Sequence, residues 1–133
     1  MITGIGTDIC SILRIEKLLE RNGQAAAEKI LAPGELEEFA KSTHKAVFLA
    51  KRFAAKEALG KALGIGVSPP ATLQNSAVSH DFLGKPIFVF AKPLAAFLAQ
   101  KNAAVHLSIS DEKEFAIAFV VIENEAAKQE LFS

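Results

Sequence analysis

Ala46-Val47-Phe48-Leu49-Ala50-Lys51-Arg52-Phe53-Ala54-Ala55-Lys56-Glu57-Ala58-Leu59-Gly60-Lys61-Ala62-Leu63 is built almost throughout from strong helix formers and stops at Gly64 and Gly66. It is the longest helix this chain can make. Leu49, Ala50, Phe53, Ala54, Ala55, Ala58, Leu59, Ala62 and Leu63 clothe most of its circumference, which marks a largely buried helix. Its charges fall in two stripes. Glu57 and Lys61 are four apart on one face, while Arg52 and Lys56 lie roughly 100° or more round the axis. On a buried helix each charge must be paired, bound to a metal or turned to a cleft, because a dry, lone charge costs several kcal/mol. From spacing alone, Glu57–Lys61 is an ordinary intrahelical salt bridge.

Around this helix the pattern alternates between short helices and strands. Ile2 to Ile9 reads as a strand with Ile5, Thr7 and Ile9 on one face and Gly4, Gly6 and Asp8 on the other. Taken alone, Asp8 is a turn or cap residue where a strand meets a helix. Ser11 can cap a helix running to Asn22, with Gly23 as its stop and Ile12, Ile15 and Leu19 as its buried stripe. Gln24 to Leu31 is helical, Pro33-Gly34 breaks it, and Glu35 to Ser42 makes a further short helix. After Ser68-Pro69-Pro70, Leu73 to Ser79 and Pro86 to Phe90 read as a hairpin around Gly84-Lys85-Pro86. Pro93 to Lys101 reads as a helix ended by Asn102. Val105 to Ser110 alternates, with His106, Ser108 and Ser110 facing one way, and Phe115 to Ile122 is apolar enough for a buried central strand. A polar tail follows from Glu123. These elements predict an α+β fold in which a mainly antiparallel sheet packs with one long and several short helices.

The 133 residues suit a single domain over 1–133, since halves would be too small to bury a core. Half the residues are hydrophobic and mean hydropathy is +0.26, so part of the apolar surface is expected to be covered by other subunits. Lys plus Arg and Asp plus Glu balance at 15 each, which leaves no global field for nucleic acid or anionic membrane. Ten Phe and no Trp or Tyr offer little for base stacking. With Cys10 as its only cysteine the chain makes no internal disulfide, and with no leader and no apolar run of roughly 20 residues a cytoplasmic location is expected.

Two segments together go further than either alone. Gly4-Ile5-Gly6-Thr7-Asp8-Ile9 and Phe48 to Ala62 resemble the signatures of the holo-acyl-carrier-protein synthase family, the short, stand-alone 4'-phosphopantetheinyl transferases. The first carries the family's Gly-x-Asp. The second carries its aromatic-x-x-Lys-Glu-Ala-x-x-Lys in Phe53, Lys56, Glu57, Ala58 and Lys61. The likeness continues through Gly84-Lys85-Pro86 and His106-Leu107-Ser108-Ile109-Ser110 and so spans essentially the whole chain.

The resemblance implies a 4'-phosphopantetheinyl transferase-like fold and Mg2+-dependent transfer of the arm of coenzyme A to a serine of apo-acyl carrier protein, releasing 3',5'-ADP. It implies Asp8 and Glu57 as ligands of Mg2+, with Mn2+ as a substitute, and Lys61 as a phosphate clamp. Glu57, directly or through a metal-bound water, is the candidate to take the serine proton. His106 is otherwise a strand histidine bonded to a neighbouring hydroxyl; the resemblance makes it a coenzyme A contact, with Ser108 beside it. Gly64 and Ser68 join the coenzyme A set through a loop that brings amides near phosphate, and His44 and Lys45 stand where the family often carries bases near the 3'-phosphate. The position after Ser110, often His in the family, is Asp111 here. On the first helix, Arg14, Leu18 and Arg21, with Lys17 beside them, are either a solvated face or a docking stripe for the acidic carrier; the resemblance favours docking. It also implies a homotrimer with sites between neighbours. The competing class is a non-catalytic, homo-oligomeric nucleotide- or phosphate-binding module, for which no Gly-x-x-x-x-Gly-Lys-Ser/Thr loop or complete dinucleotide fingerprint is present.

Overall fold

The computed structural model describes residues 1–125. Its elements follow in the order β1 (Ile2–Ser11), α1 (Ile12–Asn22), α2 (Gln24–Ile30), α3 (Pro33–Lys41), α4 (Lys45–Leu63), a 3-10 turn (Leu73–Asn75), β2 (Ser76–His80), β3 (Pro86–Phe90), α5 (Lys92–Gln100), β4 (Ala103–Asp111) and β5 (Phe115–Asn124). The three long strands form an antiparallel sheet in the order β1-β5-β4, and β2 and β3 pair as a separate antiparallel hairpin. The predicted α+β class and nearly every element hold. Leu73 to Asn75 is the exception, coiling into the 3-10 turn before the strand begins at Ser76.

α4 lies across the inner face of the sheet, where Leu49, Ala50, Ala54, Ala55, Ala58 and Leu59 are buried against Ala116, Ala118, Val120 and Ile122. Small residues let the two layers approach closely. A methyl group on Gly4 would fall 2.0 Å from the Ala62 carbonyl oxygen, and one on Gly6 would fall 2.1 Å from that of Ala58. β1 therefore rests directly on the backbone of α4, and the next residue on that face is Asp8. Ser11 caps α1 as expected, its hydroxyl accepting from the Arg14 N–H at 3.2 Å. Gly64 closes α4 in the left-handed region at φ 80°.

β5 departs from the predicted buried strand. It is central, but only Ala116, Ala118, Val120 and Ile122 face the helix. Phe115, Ile117 and Phe119 stay 45%, 43% and 46% exposed, beside Ile5 at 62% and Ile9 at 61% on β1. Register aligns this outer face in three cross-strand rows: Ile5–Val121–His106, Thr7–Phe119–Ser108 and Ile9–Ile117–Ser110. The polar tail predicted from Glu123 begins later, since Glu123 and Asn124 belong to β5, and beyond residue 125 it lies outside the described residues.

Candidate active site

The strand face that begins with two glycines delivers Asp8 to the middle of α4. There Lys61 donates to the Asp8 Oδ1 at 3.1 Å and to the Thr7 carbonyl oxygen at 3.0 Å. Lys61 thus pairs with Asp8, a strand away, in place of the Glu57 partner its spacing predicts. The Asp8 side chain is 17% exposed and that of Lys61 53%, so the pair lies at the edge of the sheet-helix layer. Glu57 completes the cluster. Its carboxyl is pushed above the ordinary carboxylate value, first by burial and then by the charge of Asp8, while Lys61 and Arg14 pull it back. Two carboxylates, a lysine and an arginine from three elements therefore act on one another.

The raised Glu57 carboxyl has a sign that can be tested. It holds its proton more readily in the fold than in the unfolded chain. Its contribution to stability is thus present below the unfolded value and lost as pH rises through the folded one. Glu57→Gln is expected to raise the metal-free melting temperature at about pH 8 and to leave it nearly unchanged at about pH 4. Paired thermal melts of the two proteins check this.

The remaining predicted residues are distributed elsewhere. His106 and Ser108 stand on the outer face of the sheet, opposite the face Asp8 shares with α4, and the His106 Nε2 lies 3.0 Å from a Glu123 oxygen. His106 is thus exposed and paired across strands with a carboxylate, where the strand pattern alone predicts a neighbouring hydroxyl. His44 and Lys45 begin α4, three turns before Glu57. Lys45 donates to the Ala40 and Ser42 carbonyls at 3.1 and 2.8 Å and so closes the end of α3. In the loop after α4 the N–H groups of Gly64, Gly66 and Ser68 all bond within the segment or back to α4, and the Ser68 hydroxyl donates to the Ile65 carbonyl at 2.9 Å. The amides of those three residues are thereby satisfied locally.

On α1, Arg14, Lys17 and Arg21 are exposed, but Leu18 is half-buried against the core. Leu13, 57% exposed, is the apolar residue that actually stands among the bases. The i, i+4 pair Leu13–Lys17 is the sequence signal for it, masked by the symmetric Arg14–Leu18–Arg21 spacing.

Sequence reasoning anticipated that Arg52 and Lys56 must be paired without finding the partner. It is Glu35, 2% exposed, which accepts from Lys56 Nζ at 2.6 Å, Arg52 Nη1 at 3.0 Å and the N–H groups of Val78 and Ala32 at 2.9 and 2.8 Å. Burial pushes the Glu35 carboxyl up, but the Lys56 ammonium and these hydrogen bonds hold it below the ordinary value. Arg52 also reaches Glu38 and the wall of a cleft of about 680 Å³, lined by His44, Phe48, Lys51, His80 and Asp111. Asp111 pairs there with Lys51 at 3.0 Å. The cleft's lining does not include Asp8 or Glu57. Within one chain, then, the Asp8–Glu57–Lys61 cluster and this cleft are separate features.

The Gly-x-Asp strand seated on the Lys-Glu-x-x-x-Lys helix brings together the two segments that carry the resemblance to 4'-phosphopantetheinyl transferases. A family model for the 4'-phosphopantetheinyl transferase superfamily matches residues 4–120, and the chain belongs to that superfamily. Within it, the chain is 54% identical over 124 residues to the holo-[acyl-carrier-protein] synthase of Dechloromonas aromatica, covering 93% of this chain and 99% of that one. Among solved structures, the holo-[acyl-carrier-protein] synthase of Neisseria meningitidis superposes with a TM-score of 0.89 at 47% identity, over 92% of this chain and 99% of that one. The Bacillus anthracis holo-(acyl-carrier-protein) synthase in complex with CoA (3',5'-ADP) gives 0.78 at 40% identity, over 93% and 98%.

Proposed function

We propose that the chain, as one domain over residues 1–133, transfers 4'-phosphopantetheine from coenzyme A to a serine of an apo-acyl carrier protein and releases 3',5'-ADP. The observation that carries this is the meeting of Asp8, Glu57 and Lys61, from segments 49 or more positions apart, in a chain whose relatives bear the synthase name. The donor set fits Mg2+: two carboxylates are hard oxygen ligands, and no group of three or more His, Cys, Asp or Glu side chains able to hold a metal occurs among the described residues. So small a set suits an ion that keeps waters and shares phosphate oxygens. Held by Asp8 and Glu57, Mg2+ supplies charge neutralisation for the pyrophosphate.

The chain's own groups account for the rest. Lys61 binds the pyrophosphate and offsets the charge that grows as the serine oxygen bonds to phosphorus and the bond to 3',5'-ADP breaks. Glu57 is the group placed to take the serine proton, directly or through a water. Arg14 acts electrostatically on Glu57, so the basic face of α1 borders the site and brings a docked acidic carrier to it. Arg14→Ala is expected to raise KM for the carrier several-fold with coenzyme A affinity nearly intact; steady-state kinetics against each substrate check this.

The exposed rows of Ile5, Ile9, Phe115, Ile117 and Phe119 favour an interface between copies, since a patch of that kind is ordinarily an interaction site, and the family resemblance implies that the copies number three. In such an assembly a neighbour's His106 and Ser108, and its cleft with His44, can complete the coenzyme A site that Lys61, Gly64 and Ser68 begin. Light scattering is expected to give three chains, and a monomer contradicts it. Among the described residues no helix is long and apolar enough to cross a membrane. The buried, lone Cys10 supports the cytoplasm as the compartment. Calorimetry tests the binding half of the proposal: coenzyme A should bind with Mg2+ and lose most of its affinity in chelator, whereas a plain phosphate-binding module binds equally in both.

A further inference from the structure

Lys61 occupies a place that the proposed function cannot leave it in. Its ammonium, with three donors, spends one on the Asp8 carboxylate and one on the Thr7 carbonyl, at 3.1 and 3.0 Å. The Asp8 carboxylate has no other hydrogen-bond or ion-pair partner given by the geometry among the described residues, so in the resting chain Lys61 is its neutralising cation. Glu57 lies close enough for the Asp8 and Lys61 charges to act on it, so two carboxylates share this single ammonium, with Arg14 acting on Glu57 as well. A divalent ion entering between the carboxylates brings two charges to a site already holding one. Cation and ammonium then compete for the same Asp8 oxygen. The ammonium is half-exposed on a flexible four-carbon stem and free to turn towards an incoming anion.

We propose that Lys61 is a resident counter-cation, displaced from Asp8 by the divalent ion and thereby released to the pyrophosphate, so that metal and coenzyme A affinities are coupled through one side chain. This rests on Asp8 and Glu57 being the metal ligands. The coupling is thermodynamic and reciprocal: each ligand raises the affinity for the other by the same factor. Part of that factor comes from phosphate oxygens touching the metal directly and does not depend on Lys61. The Lys61 part exists because metal alone must break an ion pair that leaves the ammonium unpartnered, whereas metal with coenzyme A exchanges one anion for another.

The test measures Mn2+ affinity from the signal of free Mn2+ in paramagnetic resonance, with and without coenzyme A, for the unaltered chain and for Lys61→Met. Exchange predicts that Lys61→Met binds Mn2+ alone several-fold more tightly, while its affinity with coenzyme A is unchanged or lower, so that the coupling factor falls by about five-fold or more. A fixed lysine that merely repels the metal predicts tighter binding by the same factor in both conditions, and that result overturns the proposal. So does an Mn2+ affinity unaffected by the substitution. Asp8→Asn separates the two levels of inference: Mn2+ binding that survives it shows that the metal assignment itself has failed. The Lys61 side-chain resonance, followed by NMR on adding Mg2+ without coenzyme A, gives a readout independent of any variant. It should move on metal addition, and a resonance that stays fixed counts against displacement.

Discussion

Glu35→Gln is expected to destabilise the chain by about 3–5 kcal/mol, a large part of what holds a typical small domain folded. The carboxylate is fully buried and is the only acid within reach of Lys56 among the described residues; it also takes one arm of Arg52, the other going to Glu38. Removing its charge leaves a buried ammonium with two carbonyls, of Ile30 and Leu73, and no anion. It also weakens the junction of α3, α4 and β2, because Glu35 accepts from the Val78 N–H as well. Urea unfolding measures the loss as a lower midpoint at unchanged slope. Glu35→Gln combined with Lys56→Met should recover part of it, since the cost of breaking a buried pair is mostly the charge left behind. The acid side follows from the depressed Glu35 carboxyl, whose stabilisation is complete above the unfolded value and disappears as pH falls through the folded one. Below the ordinary carboxylate range the variant and the unaltered chain should therefore converge.

Gly6→Ala should do comparable damage by a different route. Its new methyl would sit 2.1 Å from the Ala58 carbonyl oxygen and 2.7 Å from the Ala62 nitrogen, both backbone atoms of a buried helix that cannot move aside. β1 must lift off α4, at a cost above the roughly 1–3 kcal/mol of ordinary overpacking, because backbone and not a side-chain tip is in the way. Asp8 is two residues further on the same strand face. Any lift that relieves the clash draws Asp8 away from Glu57 and Lys61, so transfer activity should fall by more than the folded fraction does. Gly34→Ala is the matched control: no atom lies within 4 Å of the added methyl, so activity should be kept and stability should hold or rise by up to about 1 kcal/mol. Circular dichroism melts beside an activity assay on the folded fraction separate the two losses.

Much of this was legible in the residues. The Gly4-x-Gly6-x-Asp8 alternation and the apolar girth of residues 46–63 carry strand and helix in their own periodicity. Neither segment could announce that they touch, and the glycines acquire their meaning only when α4 lies against them. β5 reads as buried on both sides because both of its faces are apolar. Its large residues, Phe115, Ile117 and Phe119, face outward, and its small ones, Ala116 and Ala118, face the core, because a close-packed helix needs small partners. Glu35 was invisible as the partner of Arg52 and Lys56 because its positions 17 and 21 residues away become neighbours only through the packing of α3 on α4. His106 and Ser108 were correctly placed on a polar face of β4. That this face lies across the sheet from Asp8 depends on topology, which one strand's alternation does not contain.

The central claim is that Asp8, Glu57 and Lys61 carry phosphopantetheinyl transfer. Intact-protein mass spectrometry of an apo-acyl carrier protein incubated with the chain, coenzyme A and Mg2+ tests it most directly, run beside Asp8→Asn, Glu57→Gln and a chelated control. One phosphopantetheine should be added to the carrier by the unaltered chain and essentially none in the other three. A carrier left unmodified across several apo-carriers, or one modified as fast by Glu57→Gln as by the unaltered chain, contradicts the account.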